Sequence, residues 1–478
     1  MACSSTRTMG TPAAAGRRTG GKTLNPYSVS RLIRQQKDPV VALKLFENPN
    51  PDADPKKPFR RSYLSYDLVV ERLGRARMFP EMERVISMMK SEWPRFVPKE
   101  PLFCNVIRSY GRSRLPRPAI RTFDSMPSFG CKRTARSVNS LLNALFNCRQ
   151  FEKIRDLQDD LNSLCVPDAC TYNILIKACC SNDSIGEARD LLTEMIERRI
   201  RPNGVTFGTL ISYFCRRSDL DAAFRLKEEM WRIHHIEPTL VVYTSLIKGL
   251  CVANDLPAAF RLKEEMEASG IVSDAAVYAT LMTGLFRSGR REKVDAVMKE
   301  MKANGCEADT VFYNSMINGF CKNGEFDAAF STFDQMVSKK LKPDVFTFNT
   351  LVGSLCAAGR VRDAMDVFED MPRWECLPDV VTYRMVFDGL CDAGELEDAA
   401  FLLDEMLFKS FTPHGVNLKK FIDSICKTCN LKLLESILTS VSKSSAADLP
   451  MWEVAIQRVC GNCDRDELCR LLDSIAEV

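Results

Sequence analysis

Histidine is scarce in this chain: His234, His235 and His414 are the only three among 478 residues, and none sits in an H-E-x-x-H pair. No Gly-rich phosphate loop follows a strand, and no stretch alternates apolar and polar residues for long enough to be such a strand. The usual constellations of zinc hydrolases and phosphate-loop enzymes are therefore missing. No run of 18 apolar residues occurs, so no transmembrane helix is expected. A basic excess is lacking too. The chain carries +4, and without the seven basic residues of segment 1–37 the remainder carries −3. A protein that held nucleic acid mainly by a positive field would be more basic than this, so any such contact must come from a local groove and from the bases. Acidic residues are absent from 1–37, which holds Arg7, Arg17, Arg18, Lys22, Arg31, Arg34 and Lys37 among many Ser, Thr and Ala. Such a segment reads as an organelle transit peptide, with a disordered basic tail as the alternative. Arginine outnumbers lysine, which favours a mitochondrial address; the hydroxyl-rich opening keeps the chloroplast open.

What the chain has in abundance is repetition. In residues 345–379, Phe348, Leu351, Val352 and Leu355 fall on one face of a first helix. Gly359 breaks the pattern, Ala364, Val367, Phe368 and Met371 resume it, and Pro378 ends the unit. Such a hairpin buries its apolar faces only against copies of itself. Copies are placed at 63–99, 100–134, 135–168, 169–203, 204–239, 240–274, 275–309, 310–344 and 380–414, which makes ten with 345–379. Two degenerate copies within 415–478 read as a C-terminal cap, and 38–62 as an N-terminal capping hairpin and Pro-rich linker. Methionine recurs at one place of the second helix, from Met89 through Met406, and alanine seven residues earlier, from Ala119 through Ala399. Gly289, Gly324, Gly359 and Gly394 hold the turn between helices.

Twenty cysteines invite a metal or disulfide reading. Cys180, Cys215, Cys251, Cys321, Cys356, Cys391, Cys426 and Cys460 share one place late in the first helix, where Phe146 and Phe286 stand in other units. A place that accepts Cys or Phe is apolar packing. The pairs Cys426/Cys429 and Cys460/Cys463 have the spacing of a zinc site, but their first members are that packing place, so no metal is expected. The carboxylates Glu228/Glu229 and Glu264/Glu265 read as a solvated outer face. No catalysis, cofactor, membrane or small-molecule substrate is expected.

The period of 35, the TYN or TFN opening followed by LI or LV, the second-helix Met and the closing Pro-Asp resemble pentatricopeptide repeat proteins, in particular the plant type built only of 35-residue repeats. A tetratricopeptide array is the nearest rival, and its W-x2-L-G-x2-Y opening is missing from every unit. The resemblance implies an all-α fold, a right-handed superhelical α-solenoid of helix-turn-helix repeats. It further implies binding of single-stranded organellar RNA at one base per repeat. In such repeats the fifth and last residues read the base, while the second sandwiches it.

Carried over residue by residue, Asn139 with Asp168, Asn314 with Asp344 and Asn349 with Asp379 favour uracil. Asn173 with Asn203 favours a pyrimidine, and Thr244 with Asp274 guanine. The other five units depart from the rules, so the site reads N-N-U-C/U-N-G-N-U-U-N. Val205, Val241, Ala276, Val311, Phe346 and Val381 occupy the second place, with ordinary inter-repeat packing as the alternative. Arg75, Arg112, Arg216, Arg287 and Lys322 end the first helix, where they could reach phosphates or simply complement the helix dipole. Maturation of one transcript, through splicing, end protection or translation together with other RNA-maturation proteins, is the implied role. A scaffold holding a protein partner in the same groove is the alternative.

Overall fold

The structure, a computed structural model, describes residues 25–50, 59, 61–92, 98–427, 433 and 437. Most of the basic leader, most of the Pro-rich linker, the second degenerate copy and the side chains of both CxxC pairs lie outside them. The chain divides into two compact units, 1–210 and 211–478. Both are α-solenoids of helix-turn-helix repeats, and no strand occurs among the described residues.

First helices recur as thirteen-residue elements such as Ala135–Asn147 and Ala169–Ser181 in the first unit. In the second unit Leu240–Val252, Ala275–Arg287, Thr310–Lys322 and Val345–Ala357 repeat that length. Their start is set by the residue that closes the preceding repeat. Asp168, Asp274, Asp309, Asp344 and Asp379 are N-caps whose carboxylates accept the backbone N–H two or three residues on. Their end is set by one residue in the left-handed region. Gly289, Gly324, Gly359 and Gly394 have φ between +67° and +78°, and the same place is filled by Arg114, Arg149, Asp183, Ser218 and Asn254 elsewhere, also at positive φ.

Packing follows the period. Ala119, Ala188, Ala223, Ala259, Ala329, Ala364 and Ala399 are fully buried, as are Met195, Met230, Met266, Met336 and Met406. Large residues such as Phe312, Tyr278, Phe348 and Phe387 fill the space between hairpins, each contributing on the order of 1.5–3 kcal/mol by burial. Two units differ from the sequence expectation at the methionine place. Met126 and Met371 open short 3-10 turns, Met126–Phe129 and Met371–Trp374, instead of continuing the second helix. Pro127 and Pro372 follow them directly, and a proline lacks the N–H that an α-helix needs there.

The shared cysteine place is a knob fitted into the next hairpin. An added methyl on Gly249, Gly284 or Gly389 would sit 3.2 Å or less from the Sγ of Cys215, Cys251 or Cys356, and one on Gly319 would meet the Phe286 ring at 2.2 Å. Burial pushes the thiols of Cys251 and Cys391 up to about 12 and those of Cys215 and Cys356 up to about 11. Thiols held protonated this way are poor nucleophiles at neutral pH. No cluster of His, Cys, Asp or Glu that could hold a metal occurs among the described residues.

At the front, Pro26–Gln35 and Pro39–Glu47 form a hairpin capped by Asn25 and Asp38. Its Ser30 hydroxyl lies 2.8 Å from the Ser65 hydroxyl of the first repeat.

Candidate nucleic-acid interface

The fifth residue of a first helix and the cap of the next helix are brought together by the stacking itself. In the second unit the Asn314 amide nitrogen donates to Asp344 Oδ1 at 3.2 Å. In the first unit Asn139 donates to Asp168 Oδ1 at 3.1 Å, and Asn173 to Asn203 Oδ1 at 3.2 Å. A carboxylate only accepts, so the nitrogen side of the amide must face it. Asn349 also bonds Asp379, which helps lower that acid. Burial raises Asp168 and Asp379, but the helix N–H groups, a threonine hydroxyl and the partner asparagine together outweigh it and hold both carboxyls below the usual range. Both are therefore ionised at neutral pH.

The amide oxygen is held from the other side. Thr347 Oγ1 donates to Asn314 Oδ1 at 2.6 Å, Thr382 Oγ1 to Asn349 Oδ1 at 2.7 Å, and Thr206 Oγ1 to Asn173 Oδ1 at 2.6 Å. These threonines are wholly buried, one turn inside the next helix. Sequence reasoning passed them over because a threonine three residues after an acidic cap already has a local explanation as a capping box. Asn139 differs: Thr171 Oγ1 turns to Asp168 Oδ1 at 2.9 Å, and Asn139 Oδ1 has no partner among the described residues.

Thr244 and Asp274 do not meet. The Thr244 hydroxyl donates to Leu240 O of its own helix at 2.7 Å, while Asp274 caps Val277 N at 3.0 Å. A threonine side chain is too short to span the gap that asparagine crosses, and its hydroxyl takes the i−4 carbonyl instead. In the unit that departs most, Arg384 Nε donates to Thr412 O at 2.7 Å, and His414 Nδ1 lies 3.2 Å from Asp388 Oδ2. That guanidinium is folded onto the closing loop. In unit 275–309, where Ala279 removes the polar group, a cavity of about 300 Å³ opens between Ala276 and Val311, with Lys248 and Arg287 at its wall.

Second-place residues are not inter-repeat core. Val205, Val241, Val311, Phe346 and Val381 are between 43% and 65% exposed, against 2% for Phe312 and Phe348 one or two residues on. Exposed apolar residues thus hold the second place before and after Asn314 and Asn349 and after Asn173, whereas Arg136 and Cys170 hold it around Asn139. Arg112, Arg216, Arg287 and Lys322 are exposed, and no ion pair engages them among the described residues. Arg75 is exposed but pairs with Glu71 in its own helix, so that guanidinium is already occupied.

Sequence profiles described as "PPR repeat family" match residues 167–212, 204–252, 238–287, 308–357 and 343–392, and the "PPR repeat" profile matches 102–131, 276–306 and 381–411. Together they cover more than half of the chain. A putative pentatricopeptide repeat-containing protein of Arabidopsis thaliana is 40% identical over 247 residues, 44% of this chain and 52% of the relative. The small ribosomal subunit protein mL103 of the same plant is 31% identical over 225 residues, 46% of this chain and 53% of the relative. The chain thus spans about half the length of the curated relatives it matches. The solved structure of the pentatricopeptide repeat protein PPR10 from maize aligns over 95% of this chain and 74% of its own, at 20% identity and a TM-score of 0.45.

Proposed function

The chain belongs to the pentatricopeptide repeat family, and from that premise we propose that it binds single-stranded organellar RNA in a sequence-dependent way, one base per repeat, without catalysis of its own. The observation that carries this reading is the set of preformed pairs Asn139–Asp168, Asn173–Asn203 and Asn314–Asp344, with exposed apolar second-place residues after Asn173 (Val205) and on both sides of Asn314 in the chain (Val311 and Phe346). Where the amide nitrogen is committed to the cap and the oxygen also takes a threonine hydroxyl, as at Asn173 and Asn314, one N–H and one oxygen lone pair remain for a base edge, whereas the Asn139 oxygen is buried. Flanking apolar surface such as Phe346 can cover the base faces, worth on the order of 1–3 kcal/mol per base for an aromatic group and less for valine. The slots run in chain order as N-N-U-C/U-N-G-N-U-U-N, with the division into ten repeats between an N-terminal cap and a C-terminal cap as the frame.

A relative 33% identical over 187 residues carries "mitochondrial" in its name. With the acid-free basic leader, this supports an organellar address, mitochondrial in preference to chloroplast. The role proposed there is transcript maturation such as intron splicing. A second reading is favoured by relatives named as small ribosomal subunit proteins: a helical scaffold holding a protein partner. Recovery of the ten-nucleotide RNA and of a scrambled version on immobilised protein separates the two. Preferential recovery of the matched RNA supports sequence reading, and equal recovery removes it in favour of the scaffold.

A further inference from the structure

Threonine stands at the third place of four repeats, as Thr171, Thr206, Thr347 and Thr382, and each of these repeats follows one whose fifth place is asparagine. No other repeat of the ten has threonine there. Gly208, Thr244 and Ala279 are followed by Val242, Val277 and Phe312, which cannot donate a hydrogen bond from their side chains. Helix capping alone does not require this association, because Asp274 and Asp309 cap their helices with Val277 and Phe312 at the third place.

The geometry explains the pairing. Each hydroxyl has one proton and two oxygens within reach, and the amide of the preceding repeat is the nearer: 2.6 against 2.9 Å for Thr347, 2.7 against 3.0 Å for Thr382, and 2.6 against 3.3 Å for Thr206. The cap oxygen takes the amide nitrogen and the hydroxyl takes the amide oxygen, so the Asn314 side chain is pinned at both ends. Turning the amide over would set its oxygen against the Asp344 carboxylate. The one N–H and the one lone pair left for a ligand therefore appear in a fixed order, and that order is what distinguishes one base edge from another.

Resting on the RNA-binding reading above, we propose that the third-place threonine is a positioning residue for the repeat before it: Thr347 for Asn314, Thr382 for Asn349 and Thr206 for Asn173. The specificity of a repeat then depends on three residues spread over two repeats. Thr171, whose hydroxyl lies on Asp168 instead, leaves Asn139 pinned at one end only, and that slot discriminates less sharply than the other uracil slots.

The test uses the full chain and ten-nucleotide RNAs changed at one position at a time. Thr347→Val removes the hydroxyl at nearly constant volume. Its expected effect is a fivefold or greater loss of the preference for uracil at the Asn314 slot, the size of one hydrogen bond, with the preference at the Asn173 slot unchanged. Thr347→Ser restores the preference. Retained discrimination at the Asn314 slot, or equal loss at both slots, overturns the proposal. Should Thr347→Val not fold, the converse variant decides: Thr244→Asn with Val277→Thr should prefer uracil over guanine more strongly than Thr244→Asn alone, and no difference between them overturns the proposal. Unchanged protein that recovers matched and scrambled RNA equally overturns the RNA reading itself, whereas failure of this inference alone leaves that discrimination in place.

Discussion

On the proposed RNA reading a single asparagine both bonds the next helix's cap and faces a base. Asn349 is bonded to Asp379 and receives the Thr382 hydroxyl, so replacing it tests the slot without emptying the hydrophobic core. Thr244 shows what a threonine does at that place: it turns to its own helix. Asn349→Thr is expected to move that slot from uracil toward guanine several-fold, read as the ratio of affinities for RNAs differing at that one position. A ratio that stays with uracil would mean the bases are assigned to the wrong repeats. The lowered carboxyls of Asp168 and Asp379 set a second expectation. A depressed folded value means that the unfolded chain binds more protons as acid is added. This contribution to stability is complete above the ordinary carboxylate value and is lost as pH falls through the depressed one. Urea midpoints should be flat from about pH 6 to 8 on this account and fall only below about pH 4, and Asp168→Asn with Asp379→Asn should flatten that acid limb. An acid limb no shallower in the double variant would show that other groups govern it.

At the scale of the helix, close approach between hairpins decides the sign of substitutions that propensity alone would misjudge. Glycine inside a helix ordinarily costs about 1 kcal/mol relative to alanine. Gly319 is one exception here, since a methyl would strike the Phe286 ring. Gly319→Ala is expected to destabilise by about 1–3 kcal/mol, whereas Gly186→Ala, with open space around it, should be neutral or stabilising by up to about 1 kcal/mol. Urea unfolding followed by circular dichroism compares them, and equal shifts would sink the knob-and-hole account. The hairpins themselves were legible in the sequence because apolar spacing recurs from copy to copy and glycine marks the turn in four of them. Phe348, Leu351, Val352 and Leu355 share a face, and all are buried. The 3-10 turns at Met126 and Met371 were not, since a residue periodicity does not register a local change of hydrogen bonding. The threonine at the third place was equally hidden. Its role depends on which of two oxygens, 2.6 or 2.9 Å away in the case of Thr347, the hydroxyl meets more closely.

Over the whole molecule, charge is nearly balanced, so a bound strand would be held by discrete contacts more than by a general field. Each phosphate neutralised on a single strand adds about 0.7 to the slope of log affinity against log salt. Replacing Arg112, Arg216, Arg287 and Lys322 together by alanine is expected to reduce that slope by up to about 3 and to weaken matched and mismatched RNA alike. An unchanged slope would return these side chains to the role of helix-end cations. The candidate slots were found through the family resemblance, while the exposure of Val311 and Phe346 and the separation of Thr244 from Asp274 required coordinates. One more consequence lies in the residue that closes each repeat. Asp344 and Asp379 start the next helix as well as face the amide behind them, and threonine and asparagine take the same post at Thr134 and Asn203. On the proposed RNA reading, the alphabet from which that half of the pair is drawn therefore coincides with the set of good helix starters. Descendants of this chain could then exchange letters there and drift toward new transcripts while their folding remains undisturbed.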